Sequence, residues 1–319
     1  MTFAPEARVS ALKRQLVRFV FDRYISWRLE ELVSPAYPVV LDFPVDPVPR
    51  YGYGKPPHAR LNKIIGAGTA RYQTTIEGFL AECGAGLSAV AVNDADANSD
   101  QATFINGYFS GLDAIALYGF LSRFNPSTYF EIGSGFSTRF ARQAILDHGL
   151  GTTIVSCDPN PRAGISKIAD QVIRQPLEKV DPANFRRLKA GDILFFDGSH
   201  RCFTNSDVSV LFLEILPLLD PGVLIHIHDI LLPYDYPPEW SDRYYSEQYV
   251  LASYLIGGAD IEIVLPNAFV GKDPDFAELL EQFWQLPGMA AVKQHTDRLC
   301  PGYVGNSFWF RQRDRRDAM

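Results

Sequence analysis

The run Tyr129-Phe130-Glu131-Ile132-Gly133-Ser134-Gly135-Phe136-Ser137-Thr138 decides how this chain folds. Residues 127–133 are rich in β-formers and run into glycines, and from Phe136 apolar residues recur at helical spacing until Gly149. The pattern is a strand, a tight turn and a helix N-terminus. Gly133 and Gly135 permit the turn and a close approach of backbone to a ligand, while Ser137 and Thr138 suit the first turn of the helix. The next apolar run, 152–158, ends on Asp158, 23 residues beyond Gly135. An acid there can accept hydrogen bonds from ribose hydroxyls.

Working outward, the same alternation continues from about residue 104. Helices are expected at 111–124, 136–149, 206–219 and 246–256, and strands at 127–133, 152–158, 192–198, 223–229, 261–266 and 306–312. Strands alternating with helices predict a doubly wound, mostly parallel Rossmann-like α/β sheet with helices on both faces. Its ligands belong beyond the carboxyl ends of the strands. The expected division is an accessory region at 1–103 and a catalytic domain at 104–319.

Composition agrees with a folded chain. Of 319 residues, 47% are hydrophobic and 21% charged, and 30 Lys and Arg against 37 Asp and Glu leave a net charge of −7. A protein that tracks phosphates needs the opposite balance, so nucleic acid is not an expected partner. The four cysteines show neither C-x-x-C pairs nor zinc spacing, no window reaches 18 apolar residues, and the N-terminus lacks signal-peptide character. A cytoplasmic protein without a membrane span is expected.

Residues 5–32 read as a basic amphipathic helix, expected to pack on its own domain or on a second copy in a homo-oligomer, with contact to a membrane surface as the minor option. The proline-rich stretch 35–57 is expected to wander extended over a surface. The acidic run 93–100 starts like a calcium loop but has Ser99 where glycine is needed and Ile105 where glutamate is needed.

The acids choose the ligand. Glu131 precedes the glycine turn and Asp197 ends the strand at 192–198, so the mouth of the sheet is acidic. A pyrophosphate would be repelled there and a sulfonium with an ammonium group attracted, which points to S-adenosylmethionine. The four motifs EIGSGFST, VSCDP, DILFFDGSH and LIHIHDI, in this order, resemble those of the class I S-adenosylmethionine-dependent methyltransferases, nearest to the bacterial small-molecule O-methyltransferase-like group. The resemblance covers about residues 104–265. It implies that Glu131, Gly133 and Gly135 hold the methionine part of the cofactor, assisted by Ser137 or Thr138, that Asp158 binds the ribose, and that Asp197 stands near the methyl group with Ser199 and His200 on the following loop. In metal-dependent relatives the positions of Asp197, His228 and Asp229 carry oxygen ligands for magnesium. His228 departs from that pattern, because magnesium takes oxygen ligands.

Methyl transfer to a hydroxyl needs in-line positioning and one base. His200 and His228, both at strand ends, are candidates for the base, and a divalent metal on Asp197, His228 and Asp229 is the other way to activate a hydroxyl. His226 is expected to be a hydrogen-bonded core residue. The segment 231–250 would lie over the strand ends, so Tyr234, Tyr236, Trp240 and Arg243 are expected to meet a small-molecule acceptor, with Tyr108 and Asp113 reaching in from the other side. The reading is a methyltransferase acting on a small-molecule hydroxyl. Its alternatives are a metal-dependent hydrolase or lyase built on His200, His228 and Asp229, and a non-catalytic methyltransferase-like binding subunit.

Overall fold

In the computed structural model the described residues are Lys13, 43–93, 100–161, 164–299 and 302–313. The helix expected over 5–32, Lys13 apart, and the homo-oligomer contact assigned to it lie outside them, as do residues 94–99 of the acidic run. The chain divides into two units, Met1–Asp46 and Pro47–Met319. In the first, residues 43–46 are exposed.

The second unit is built on a seven-stranded sheet with strand order β3-β2-β1-β4-β5-β7-β6. The strands are β1 (Thr128–Ile132), β2 (Thr153–Cys157), β3 (Gln171–Ile173), β4 (Ile193–Phe196), β5 (Leu224–Ile227), β6 (Ile261–Pro266) and β7 (Phe308–Gln312). Only β7 runs against the others, paired antiparallel to both β5 and β6. The expected Rossmann-like sheet is therefore present. β3, three residues long at the sheet edge, is too short to carry a period and was not expected. Strand order reverses between β1 and β4, and an open α/β sheet leaves its ligand crevice at such a point.

Strands buried on both faces need apolar residues at every position, which explains runs such as Ile193-Leu194-Phe195-Phe196, all inaccessible. The helices Gly111–Phe124 and Phe136–His148 form where expected, the second stopping at Gly149 in a left-handed conformation (φ 60°). The helix expected over 206–219 is interrupted: regular α-helix spans only Asp207–Val210, and a tighter turn at Leu216–Leu218 carries Pro217, which has no N–H to continue a ladder.

Residues before 104 do not stand apart. The helices Ala59–Gly66 and Thr69–Ala89 place Leu61, Ile65, Tyr72, Ile76, Phe79, Cys83 and Leu87 in the same core as the sheet helices. The Thr69–Ala89 helix lies so close to Gly111–Phe124 that a Cβ on Gly119 would sit 2.4 Å from the Phe79 ring. The unit that holds the sheet thus begins at Pro47. Apolar side chains at helical spacing on 59–89 are the reason, since they need a partner face and find it here.

Residues 47–57 form neither helix nor strand, as expected of their prolines. They are fastened to the loop after β5. Asp235 accepts from the backbone N–H groups of Arg50 (2.5 Å) and Tyr51 (3.1 Å), and from the Tyr249 hydroxyl (3.2 Å). Among the described residues no helix is long and apolar enough to cross a membrane.

Candidate active site

A cleft of about 510 Å³ opens beyond the carboxyl ends of β1, β2, β4 and β5. That volume suits a cofactor together with a small acceptor. The turn after β1 forms its floor. Gly133 has φ 77°, and a Cβ there would lie 1.9 Å from the carbonyl oxygen of Asp197, so only glycine lets β1 and β4 end side by side. Gly135, with φ near 180°, is extended and lies off the cleft wall.

Glu131 is wholly buried behind that turn. One carboxylate oxygen accepts from the hydroxyls of Tyr129 (2.9 Å) and Ser137 (2.6 Å), and the other from Thr138, whose Oγ1 in turn accepts the Gly135 N–H at 3.0 Å. Burial pushes the Glu131 pKa up to about 7 despite these three donors. Glu131, Gly135, Ser137 and Thr138, expected at the ligand site, lie behind the turn and off the cleft wall. Their polar groups bond to one another and hold the glycine turn from beneath, and the turn's exposed wall consists of Gly133 and Ser134.

Asp158, at the end of β2, does line the cleft. It is anchored by the Ser134 N–H (2.9 Å), the Ser134 hydroxyl (3.0 Å) and the Asn160 N–H (2.7 Å). Ser199 is exposed off the wall, its N–H and hydroxyl both held by Asp207 at 2.6 Å.

The ends of β4 and β5 bring Asp197, His200, His228 and Asp229 together. His200 and Asp229 have left-handed backbones (φ 59° and 53°), conformations that cost about 1–3 kcal/mol each in non-glycine residues and cluster at functional sites. His200 is buried with carboxylates at both ring nitrogens. Nδ1 lies 3.0 Å from Glu247 Oε2, and Nε2 lies 3.3 Å from Asp197 Oδ1 and 3.5 Å from Asp229 Oδ2. Burial opposes charge on this ring, but Asp197, Asp229 and Glu247 outweigh it and hold its pKa well above the usual value. For Asp197 burial works upward, while the charge of His228 and the hydrogen bond and charge of His200 bring it down to about 2.

His228 sits on the cleft wall, with Nδ1 3.4 Å from the Ser307 hydroxyl and Nε2 3.7 Å from Asp229 Oδ1. Burial lowers its pKa, but Asp197, Asp229 and Asp113 more than reverse this and leave it raised. His226 is the expected core histidine, inaccessible, stacked 3.8 Å from Phe195 and bonded to Ser307 at 2.8 Å. Asp113 reaches the cleft as expected, and accepts from Asn267 (2.8 Å) and the N–H groups of Asn306 (2.9 Å) and Ser307 (2.8 Å).

Among the described residues no group of three or more His, Cys, Asp or Glu side chains is arranged to hold a metal ion. Of the ligand set expected from Asp197, His228 and Asp229, the two carboxylates converge on the Nε2 of His200.

Of the expected acceptor residues, Tyr108, Trp240 and Arg243 line the cleft, the Arg243 guanidinium lying 4.2 Å over the Trp240 ring. Tyr234 and Tyr236 do not. Both pack in an aromatic cluster behind the wall, with Trp240, Tyr245 and Tyr303, and there they support the residues that do. Sequence reasoning missed Glu247, Tyr245 and Asn306. Glu247 opens the helix Glu247–Ile256, where an acid reads as complementing the helix dipole, and a His partner 47 residues upstream leaves no local signal. Asn306, at the start of the strand expected over 306–312, donates to Asp229 at 2.7 Å.

Residues 130–230 match the family model described as a methyltransferase domain. No curated protein matches the chain. Among solved structures it is similar to the S-adenosylhomocysteine-bound methyltransferase PaMTH1 of Podospora anserina, at 17% identity, covering 48% of this chain and 72% of that one, with a TM-score of 0.35. It is also similar to the plantazolicin methyltransferases BamL and BpumL, both at 13% identity, covering 80% and 81% of this chain and all of each of those, with TM-scores of 0.39 and 0.36. Likenesses this distant say nothing of acceptor or mechanism. The family match spans the glycine turn after β1, Asp158 and the β4 and β5 ends, the same elements that form the cleft, and on that ground residues 130–230 are a methyltransferase domain.

Proposed function

We propose that this chain moves the methyl group of S-adenosylmethionine to a hydroxyl of a small molecule, with His228 as the base. The carrying observation is His228, a titratable ring at the end of β5 on the wall of the same cleft that Asp158, Trp240 and Tyr245 line. Asp158 would accept from the ribose hydroxyls, and Gly133 and Ser134 would bring backbone against the cofactor. Asp197, ionised at neutral pH, would face the sulfonium.

When bound, S-adenosylmethionine would supply the methyl group to the acceptor oxygen from its sulfonium, leaving as the neutral thioether. The hydroxyl proton goes to His228. His200 is unsuited to receive it, since three carboxylates keep its own proton in place. The Nε2 of His228 is 3.7 Å from Asp229, beyond hydrogen-bond length, so a neutral ring can turn its lone pair to the cleft. Trp240, Tyr245 and Arg243 suit an aromatic or hydroxylated acceptor carrying an anionic group. A cytoplasmic setting is part of the proposal, supported by the free thiols of Cys83, Cys157 and Cys202.

The test is transfer of an isotopically labelled methyl group to matched sets of phenols, sugars and amines, with the product bond located by NMR. Label on oxygen supports the reading, and label found only on nitrogen or carbon overturns it.

A further inference from the structure

We propose that His200, locked as an imidazolium by Glu247, is a fixed cation of this cleft and fills the position between Asp197 and Asp229 where a divalent metal would otherwise bridge two carboxylates. The inference concerns the site of the proposed methyl transfer and rests on that reading for its purpose, but not for its test.

The geometry leaves the ring little choice. Burial raises the Glu247 pKa to about 7, with the hydrogen bond to and charge of His200 working downward; above that pH carboxylate oxygens, which only accept hydrogen bonds, face both ring nitrogens, so both nitrogens must donate. A neutral imidazole can donate from one nitrogen only. Glu247 is wholly buried, and among the described residues its second oxygen, Oε1, has no hydrogen-bond partner, so His200 is what balances this carboxylate. The remaining groups that act on the pair are His228 across Asp229, Asp207 on the side of Glu247, and the Tyr245 ring, whose centre is 4.6 Å from that of His200. The backbone holds the ring in place as well: the His200 carbonyl accepts the N–H groups of Ser246 (2.8 Å) and Glu247 (3.2 Å), tying the loop after β4 to the helix that carries Glu247.

A metal would have to share two carboxylates with a cation that already sits between them, and like charges at such a distance repel strongly in a partly desolvated cleft. The imidazolium can do what the protein needs there: it orients Asp197 and Asp229 and offsets part of their charge. His200 touches the cleft, while Glu247 acts through His200 and is a positioning residue.

The experiment is a titration of the whole protein with Mn²⁺, followed by electron paramagnetic resonance, beside ring ¹⁵N NMR of labelled histidines. The wild type should leave Mn²⁺ free, and both His200 ring nitrogens should be protonated at about pH 8. Replacing the pair together, His200→Asn with Glu247→Gln, removes the cation without stranding a buried charge. That variant should bind Mn²⁺ at least about tenfold more tightly than the wild type. Should it fail to fold, Glu247→Gln alone must lower the His200 pKa in the NMR titration. Equal Mn²⁺ binding by wild type and double variant, a singly protonated His200, or an unmoved His200 in Glu247→Gln would each overturn the inference. A failure of the methyl-transfer reading would appear separately, as absent binding of S-adenosylhomocysteine.

Discussion

Glu131→Gln separates two roles for the acid before the glycine turn. The wholly buried carboxyl has its pKa raised from 4.5 to about 7 by burial. A carboxyl whose folded-state pKa lies above its unfolded one binds protons more tightly when folded. It costs nothing well below pH 4.5, its cost grows as pH rises through the interval, and the full penalty stands above pH 7. The difference is about two and a half powers of ten in proton affinity, or about 3.4 kcal/mol at about 1.4 kcal/mol per power of ten. Integrated between about pH 5 and about pH 8, it removes about 2.5 kcal/mol of stability. Glutamine does not titrate, and the Tyr129, Ser137 and Thr138 hydroxyls can each turn to accept from its amide. Urea unfolding of wild type and variant at the two pH values reads the difference directly. The variant should gain on the wild type by about 2.5 kcal/mol on going from about pH 5 to about pH 8, and keep S-adenosylhomocysteine affinity within about fivefold. A stability difference independent of pH would refute the burial argument. A loss of affinity of about a hundredfold with stability intact would return Glu131 to the ligand site.

Three further outcomes follow from the same geometry. Asp158→Ala should weaken S-adenosylhomocysteine about 30- to 100-fold by titration calorimetry, the worth of one or two hydrogen bonds to a charged group. His228→Ala should lower kcat about a hundredfold or more with cofactor affinity nearly unchanged. Because the His228 pKa is raised and the base must be neutral, the acid limb of the wild-type kcat/KM profile should lie on the alkaline side of the usual histidine value and vanish in the variant. Asp235→Ala cuts the ties from Arg50, Tyr51 and Tyr249, and should lower stability by about 1–3 kcal/mol and raise the acceptor KM more than it lowers kcat.

The sheet was legible because buried parallel strands are written as continuous apolar runs, and because two glycines followed by a helical period leave a local mark at residues 129–138. What escaped is what sequence proximity cannot carry. β3 is a three-residue edge strand, and the helices at 59–89 joined the main core through faces whose partners lie far along the chain. Asp158, Asp197, His228 and Asp229 could be placed at one cleft from the sequence because strand ends are places of known geometry. Glu131, Ser137 and Thr138 were given to the ligand because a motif names residues and not the direction of their side chains. Tyr234 and Tyr236 lie off the cleft wall for a similar reason: a segment with many aromatic residues must bury some of them to hold the others at the surface. The Glu247–His200 pair joins two loops across 47 residues, and only the fold brings the two together.

The central claim is that this cleft takes the adenosyl cofactor, with Asp158 and the Gly133 turn as its holding points. Isothermal titration of the purified protein with S-adenosylhomocysteine tests it most directly. The account predicts one site per chain with micromolar affinity, weakened in Asp158→Ala. An absence of heat and of any thermal shift at millimolar ligand would contradict it.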